Sequence, residues 1–154
     1  MKTRDCRWFA AAFVLATATA AHAQPAQIPG WRLVWSEEFS GSAVNTAIWN
    51  AENIAWPHNS ELEYYLPQQA TVQNGLLNIK AERRNVGGRN YVSARINTRG
   101  HFVQQYGRFE ARIRVPAGQG LWPAFWLLPA TDAWPPEIDI MEHIGGVPNR
   151  IYMT

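Results

Sequence analysis

The sequence has 154 residues, 47% of them hydrophobic and 17% charged, with 14 Lys+Arg against 12 Asp+Glu. That length holds one domain and not two full-sized ones, and the composition excludes a disordered or collagen-like chain. The basic surplus would argue for a nucleic-acid or membrane-surface partner only if it lay in the folded part of the protein, and its position along the chain says otherwise.

Lys2, Arg4 and Arg7 precede an apolar run over residues 8–21, and the small-residue triplet Ala21-His22-Ala23 follows. A positive start, a short apolar stretch and an A-x-A site are the parts of a secretory signal peptide, so residues 1–23 are read as a leader and the protein as secreted, extracellular or periplasmic. The apolar run is too short to span a bilayer comfortably. Its removal takes away Lys2, Arg4, Arg7 and Asp5, after which basic and acidic residues are equal in number. No nucleic-acid partner is expected, no membrane association after cleavage, and the protein is read as a monomer. The single cysteine, Cys6, departs with the leader, so the exported chain has no disulfide and relies on its core or on a metal. His58, His101 and His143 lack zinc-type spacing. Gly87-Gly88 and Gly145-Gly146 lack the frame of a phosphate loop.

Residues 24–30 read as a short linker, and residues 31–154 as the domain. From Trp31 onward the pattern has period 2. Short strands are expected over residues 32–36, over 76–82 after the Asn74-Gly75 turn, and over 91–99 after Gly87-Gly88. The clearest is 108–115, where Arg108, Glu110, Arg112 and Arg114 alternate with Phe109, Ala111, Ile113 and Val115 before Pro116-Ala117-Gly118 stops the run. Sustained 3.6-residue periodicity is missing, so the fold class is all-β, a sandwich of two antiparallel sheets. In residues 118–129, Trp122, Ala124 and Trp126 fall on one face of a strand and form an aromatic shelf. Trp134, in a Trp-Pro-Pro turn, reads as the rim of a cleft.

The chemistry lies in Glu137-Ile138-Asp139-Ile140-Met141-Glu142. On a helix Glu137 and Asp139 would stand about 200° apart. On a regular strand they share a face, while Glu142 points to the other side. One extra residue at Ile140-Met141, a β-bulge, brings Glu142 back to the face of the other two. Four strand rises then separate the Cα atoms of Glu137 and Glu142 by about 13 Å, and side chains leaning inward bring the carboxyls to about 5–6 Å. That spacing suits a retaining glycosidase and is too narrow for an inverting one. Glu137 is assigned as nucleophile and Glu142 as general acid and then base, with Asp139 between them as a hydrogen-bonding assistant. The apolar neighbours Ile138, Ile140, Met141 and Ile144 argue against a merely solvated acidic face. A calcium site built on the same oxygens is the competing use.

At these residues the chain resembles glycoside hydrolase family 16, the secreted β-glucanases of concanavalin A-like jelly-roll fold, and in particular its laminarinase-like endo-1,3-β-glucanases. The motif at 137–142 is similar to the family signature in its bulged form, and 118–129 to the tryptophan-rich strand before it. Ser93-Ala94-Arg95-Ile96-Asn97-Thr98, Tyr106-Gly107-Arg108-Phe109-Glu110 and Asn59-Ser60-Glu61-Leu62-Glu63-Tyr64-Tyr65 follow the family order. The resemblance implies the same three roles for Glu137, Asp139 and Glu142, donor subsites lined by Asn59, Arg95, Trp122 and Trp126, and a 1,3-β-glucan substrate. It implies no cofactor for catalysis. It offers a structural calcium on Glu38 and the carbonyl of Gly75, whose usual third ligand, a late aspartate, this chain lacks. It also implies a sandwich incomplete at its C-terminus, since Tyr152-Met153-Thr154 falls part-way through the strand after the catalytic one. A non-catalytic β-glucan-binding module, or cleavage of mixed-linkage glucan or a galactan, are the alternatives.

Overall fold

The computed structural model describes residues 27–154 apart from Pro57 and Asp132. The leader at 1–23 and the first residues of the linker lie outside the described residues. Two compact units are separated at Ser36. In the first, the Trp31 N–H donates to the Ile28 carbonyl at 3.0 Å and the Gln27 side chain donates to the Trp31 carbonyl at 3.1 Å, closing a turn. The strand expected over 32–36 is absent from it.

Among the described residues, the regular elements of the second unit, Glu37–Thr154, are strands apart from one 3₁₀ turn at Pro67–Gln69. In chain order these are β1 (Asn50–Ala51), β2 (Ile54–Ala55), β3 (Glu63–Tyr65), β4 (Ala70–Gln73), β5 (Leu76–Ile79), β6 (Glu82–Val86), β7 (Arg89–Ser93), β8 (Ile96–Asn97), β9 (Ala124–Leu127) and β10 (Ile138–Glu142). They form one four-stranded sheet, in the order β2-β3-β7-β6, and three pairs, β1-β8, β4-β5 and β9-β10. The all-β reading therefore holds. Every contact is antiparallel except β3 with β7, which is parallel. Among the described residues no helix is long and apolar enough to cross a membrane.

The β4-β5 hairpin follows from the sequence directly. Asn74 and Gly75, with φ of 54° and 71°, supply the two left-handed residues that a tight hairpin turn requires, and Ala70 and Val72 alternate inward from Thr71 and Gln73. The run expected over 76–82 breaks at Lys80, for a tertiary reason. The Lys80 N–H donates to the Gln69 carbonyl at 2.9 Å and the Lys80 carbonyl accepts the Gln69 side-chain amide at 3.0 Å, so its backbone leaves the ladder. Gln69 is thereby paired although buried. Val92, fully buried in β7, sits in register with Tyr64 of β3 and Glu82 of β6.

The alternation at 108–115 does not become a strand. A strand exists only with a ladder partner, and among the described residues none runs beside this segment. Its apolar row survives in another form. Phe109, Ala111, Ile113 and Val115, with Glu110 among them, line a groove of about 360 Å³ together with Phe125, Ile140, Met141 and Ile151.

Gly145 marks a close approach between backbones. Its N–H donates to the Leu121 carbonyl at 2.8 Å and its carbonyl accepts the Gly118 N–H at 3.2 Å. A Cβ there would overlap the Gly118 carbonyl, and backbone has little freedom to move aside. Gly145→Ala should lower stability by about 1–3 kcal/mol, the usual cost of overpacking. Urea denaturation of the two proteins measures this, and an unchanged midpoint would contradict the close-approach reading.

Candidate active site

β9 and β10 carry the site, and their register determines what it presents. Ile138 faces Leu127, Asp139 faces Trp126, Met141 faces Phe125 and Glu142 faces Ala124, with Ile140 left unpaired between them. The same excess appears on the other edge of β10. Asp139 exchanges backbone hydrogen bonds with Thr154 (2.8 and 3.2 Å) and Glu142 with Tyr152 (3.0 and 2.9 Å), three steps on β10 against two on its neighbour. The bulge expected at Ile140-Met141 is therefore present and seen by both adjacent segments. Residues opposite one another share a sheet face. Asp139 and Glu142 thus stand on the side of Trp126 and Ala124, while Ile138 and Met141 turn with Leu127 and Phe125 to the other. Ile140 and Met141 both reach the apolar groove.

Glu142 is held directly. The Trp122 indole N–H donates to its Oε1 at 2.8 Å, which fixes the carboxyl from the far end of the shelf. Trp122 keeps 47% of its surface exposed and Ala124 is open, so the face between them is accessible. Glu137 stands one residue before β10, exposed, on the Asp139 side by strand parity. Asp139 is half-buried and makes its hydrogen bonds through its backbone; among the described residues none joins its carboxyl to Glu137. Trp134 is 74% exposed beside Glu137, as a rim residue would be.

Arg95 is far from the exposed strand residue that its position alone would give. Its guanidinium lies between two indoles, 4.5 Å from the centre of Trp56 and 4.7 Å from that of Trp126. Its Nε is 3.2 Å from Oε1 of Glu52, which also accepts the Asn97 amide at 3.0 Å. Cation–π attraction and a largely desolvated ion pair act together here, each strengthened by the low exposure of both partners. One face of Trp126 is consequently covered. Trp56 and Glu52 were not singled out by sequence. Eight tryptophans in so short a chain hinted at aromatic work, but nothing local joins residues 52, 56, 95 and 126.

Asn59 is exposed on the loop between β2 and β3, close to a second carboxylate network. The Tyr65 hydroxyl donates to Oε2 of Glu61 at 2.6 Å. Burial pushes the Glu61 carboxyl above the ordinary glutamate value of 4.5, with the Glu63 charge acting the same way; the Tyr65 and Asn59 hydrogen bonds and the Arg95 charge oppose the shift. Burial, together with the hydrogen bond to Glu61, raises Tyr65 as well.

Glu38 is half-buried and Gly75 occupies its hairpin turn. Among the described residues no group of three or more His, Cys, Asp or Glu side chains converges as a metal site. Glu38 and the Gly75 carbonyl would supply two of the six to eight oxygens that calcium takes.

The profile of the family described as Glycosyl hydrolases family 16 matches residues 42–154. A beta-glucanase of Rhodothermus marinus is 42% identical over 139 residues, covering 82% of this chain and 48% of that protein. Glucan endo-1,3-beta-glucosidase A1 of Niallia circulans is 35% identical over 150 residues, covering 82% and 22%. The crystal structure of the laminarinase catalytic domain from Thermotoga maritima superposes with a TM-score of 0.75 at 40% identity, covering 80% of this chain and 56% of that one. The chain thus spans about half the length of the first of these relatives, and less of the second.

The elevated Glu61 carboxyl gives a pH dependence with a definite sign. Its protonated form is favoured in the folded protein, so the stability it contributes is present below about pH 4.5 and is lost as pH rises through its raised native value. Glu61→Gln imitates the protonated acid. Relative to wild type, the variant should be unchanged near pH 4 and more stable at pH 7 in parallel urea titrations; a variant less stable at pH 7 would contradict the assignment.

Proposed function

Because the chain belongs to glycosyl hydrolases family 16, we propose that it serves as a secreted, retaining endo-β-glucanase acting on 1,3-β-glucan of the laminarin type. The observation that carries this reading is the unpaired Ile140, which turns Glu142 to the side of Asp139, Ala124 and Trp126, under the indole N–H of Trp122. The names of the relatives in Rhodothermus and Niallia support the substrate class.

In this reading a glucan chain lies along the β9-β10 face, with sugar rings stacked on the open faces of Trp122 and Trp126 and with Trp134 at the rim. Asn59 and the Arg95 region border the donor side. A Glu137 carboxylate oxygen attacks the anomeric carbon as the glycosidic C–O bond breaks, and Glu142 delivers its proton to the departing oxygen. Glu142 then accepts a proton from water, whose oxygen attacks the same carbon and frees Glu137. The Trp122 hydrogen bond keeps one Glu142 oxygen occupied and leaves the other to handle the proton. Two displacements at one carbon retain its configuration. Neither a metal nor a cofactor takes part in these steps.

Two outcomes test this. Glu137→Gln should abolish hydrolysis of laminarin while leaving its binding largely intact; undiminished hydrolysis would overturn the nucleophile assignment, and a wild-type protein that binds laminarin without cleaving it would be a glucan-binding module instead. Proton NMR during wild-type hydrolysis should show the β-anomer first. Initial release of the α-anomer would defeat the double-displacement scheme.

A further inference from the structure

Trp56 covers Arg95, and the turn over residues 58–61, which bears Asn59, has a backbone held against its own preference. The Glu61 N–H donates to the His58 carbonyl at 3.2 Å, closing a turn whose central residues, Asn59 and Ser60, both have φ of 58°. Neither is glycine. Asparagine tolerates the left-handed region, serine much less so, and such residues persist only where the surroundings impose them.

One side chain bonds both this turn and Trp56. Arg89, the first residue of β7, donates from Nη1 to the Glu61 carbonyl at 2.5 Å and from Nη2 to the Trp56 carbonyl at 3.1 Å. Its base is firm, because β7 pairs with β3 on one side and β6 on the other. The planar guanidinium sets the two carbonyls at a fixed separation, which the single ammonium of lysine cannot reproduce. Arg89 is 28 residues from Glu61 and 33 from Trp56 in sequence, and it uses both forks on backbone outside the carboxylate strand.

We infer that Arg89 is a positioning residue for glucan binding: its fork ties the Trp56 carbonyl to that of Glu61, which sets Trp56 on Arg95 and holds the strained 58–61 turn so that it presents Asn59 to the donor side of the cleft. This rests on the glucanase reading for its effect on turnover, but not for its effect on the loop. In Arg89→Ala and Arg89→Lys, KM for laminarin should rise about tenfold with kcat within about twofold, since the carboxylates are untouched. Hydrogen exchange at the Glu61 amide, which donates to the His58 carbonyl, should accelerate about tenfold or more while the amides of β7 and β10 stay as in wild type. Should the alanine variant fail to fold, the lysine variant, which keeps the charge and the aliphatic stem, provides the same readouts. Wild-type exchange at Glu61 in a folded variant would overturn the inference even if laminarin proved not to be the substrate. Uniformly faster exchange with unaltered KM would also overturn it, by making Arg89 a general stabiliser.

Discussion

The site depends on a single departure from strand regularity, the unpaired Ile140, because side-chain direction on a strand alternates without exception until a residue is inserted. Asp139 and Glu142 are three positions apart, an odd spacing that a flat ladder would send to opposite faces. With Ile140 excluded from pairing, both carboxylates meet Trp126 and Ala124, and two consecutive apolar residues, Ile140 and Met141, meet the groove on the reverse side. Charge and hydrocarbon are thereby sorted to the two faces of one five-residue strand. The sorting is reinforced from both edges, since Trp126 to Ala124 on one side and Thr154 to Tyr152 on the other accommodate the same excess.

Around this strand several charged and polar groups are held by specific partners. Among the described residues the buried apolar ones are Ala70, Val72, Val92 and Ala94, and the buried polar ones are Gln69 and His143. Gln69 satisfies its amide on Lys80 and Arg84. Arg95 is taken up by two indoles and Glu52. These arrangements are directional, and removing one partner would leave the other desolvated and unpaired. They position loops well: the Trp56 ring, the Asn59 turn and the Trp126 ring are all tied to Arg95 or Arg89, and neither arginine lies on the carboxylate strand.

The two arginines divide the work by geometry. Arg95 acts through its flat faces, stacking, and through Nε, pairing with a carboxylate. Arg89 acts through its forked edge on two carbonyls. Each use exploits a property of guanidinium that an ammonium lacks. Arg95 joins Trp56 to Trp126 of β9 by stacking, and Arg89 ties Trp56 and Glu61 to β7 by hydrogen bonds. The raised carboxyl of Glu61 sits beside this junction because the same packing removes it from water.

The carboxylate strand was legible in the sequence because its logic is local: parity along six residues, with apolar neighbours in the positions left over, demands a bulge and says where. The Asn74-Gly75 hairpin was legible for the same reason, since left-handed φ values belong to those residue types wherever they occur. The segment at 108–115 has an equally regular alternation and yet forms no ladder, because alternation records which faces are wet and dry, not whether a partner strand is present. Lys80 likewise interrupts a well-patterned run through hydrogen bonds to Gln69, eleven residues away. The sequence by itself therefore determined the all-β class, the bulge and the face on which the carboxylates stand. The enclosure of Arg95 by Trp56 and Trp126, the fork of Arg89 and the burial of Glu61 were decided only by tertiary structure, because each joins groups from separate strands and loops whose proximity no local period encodes.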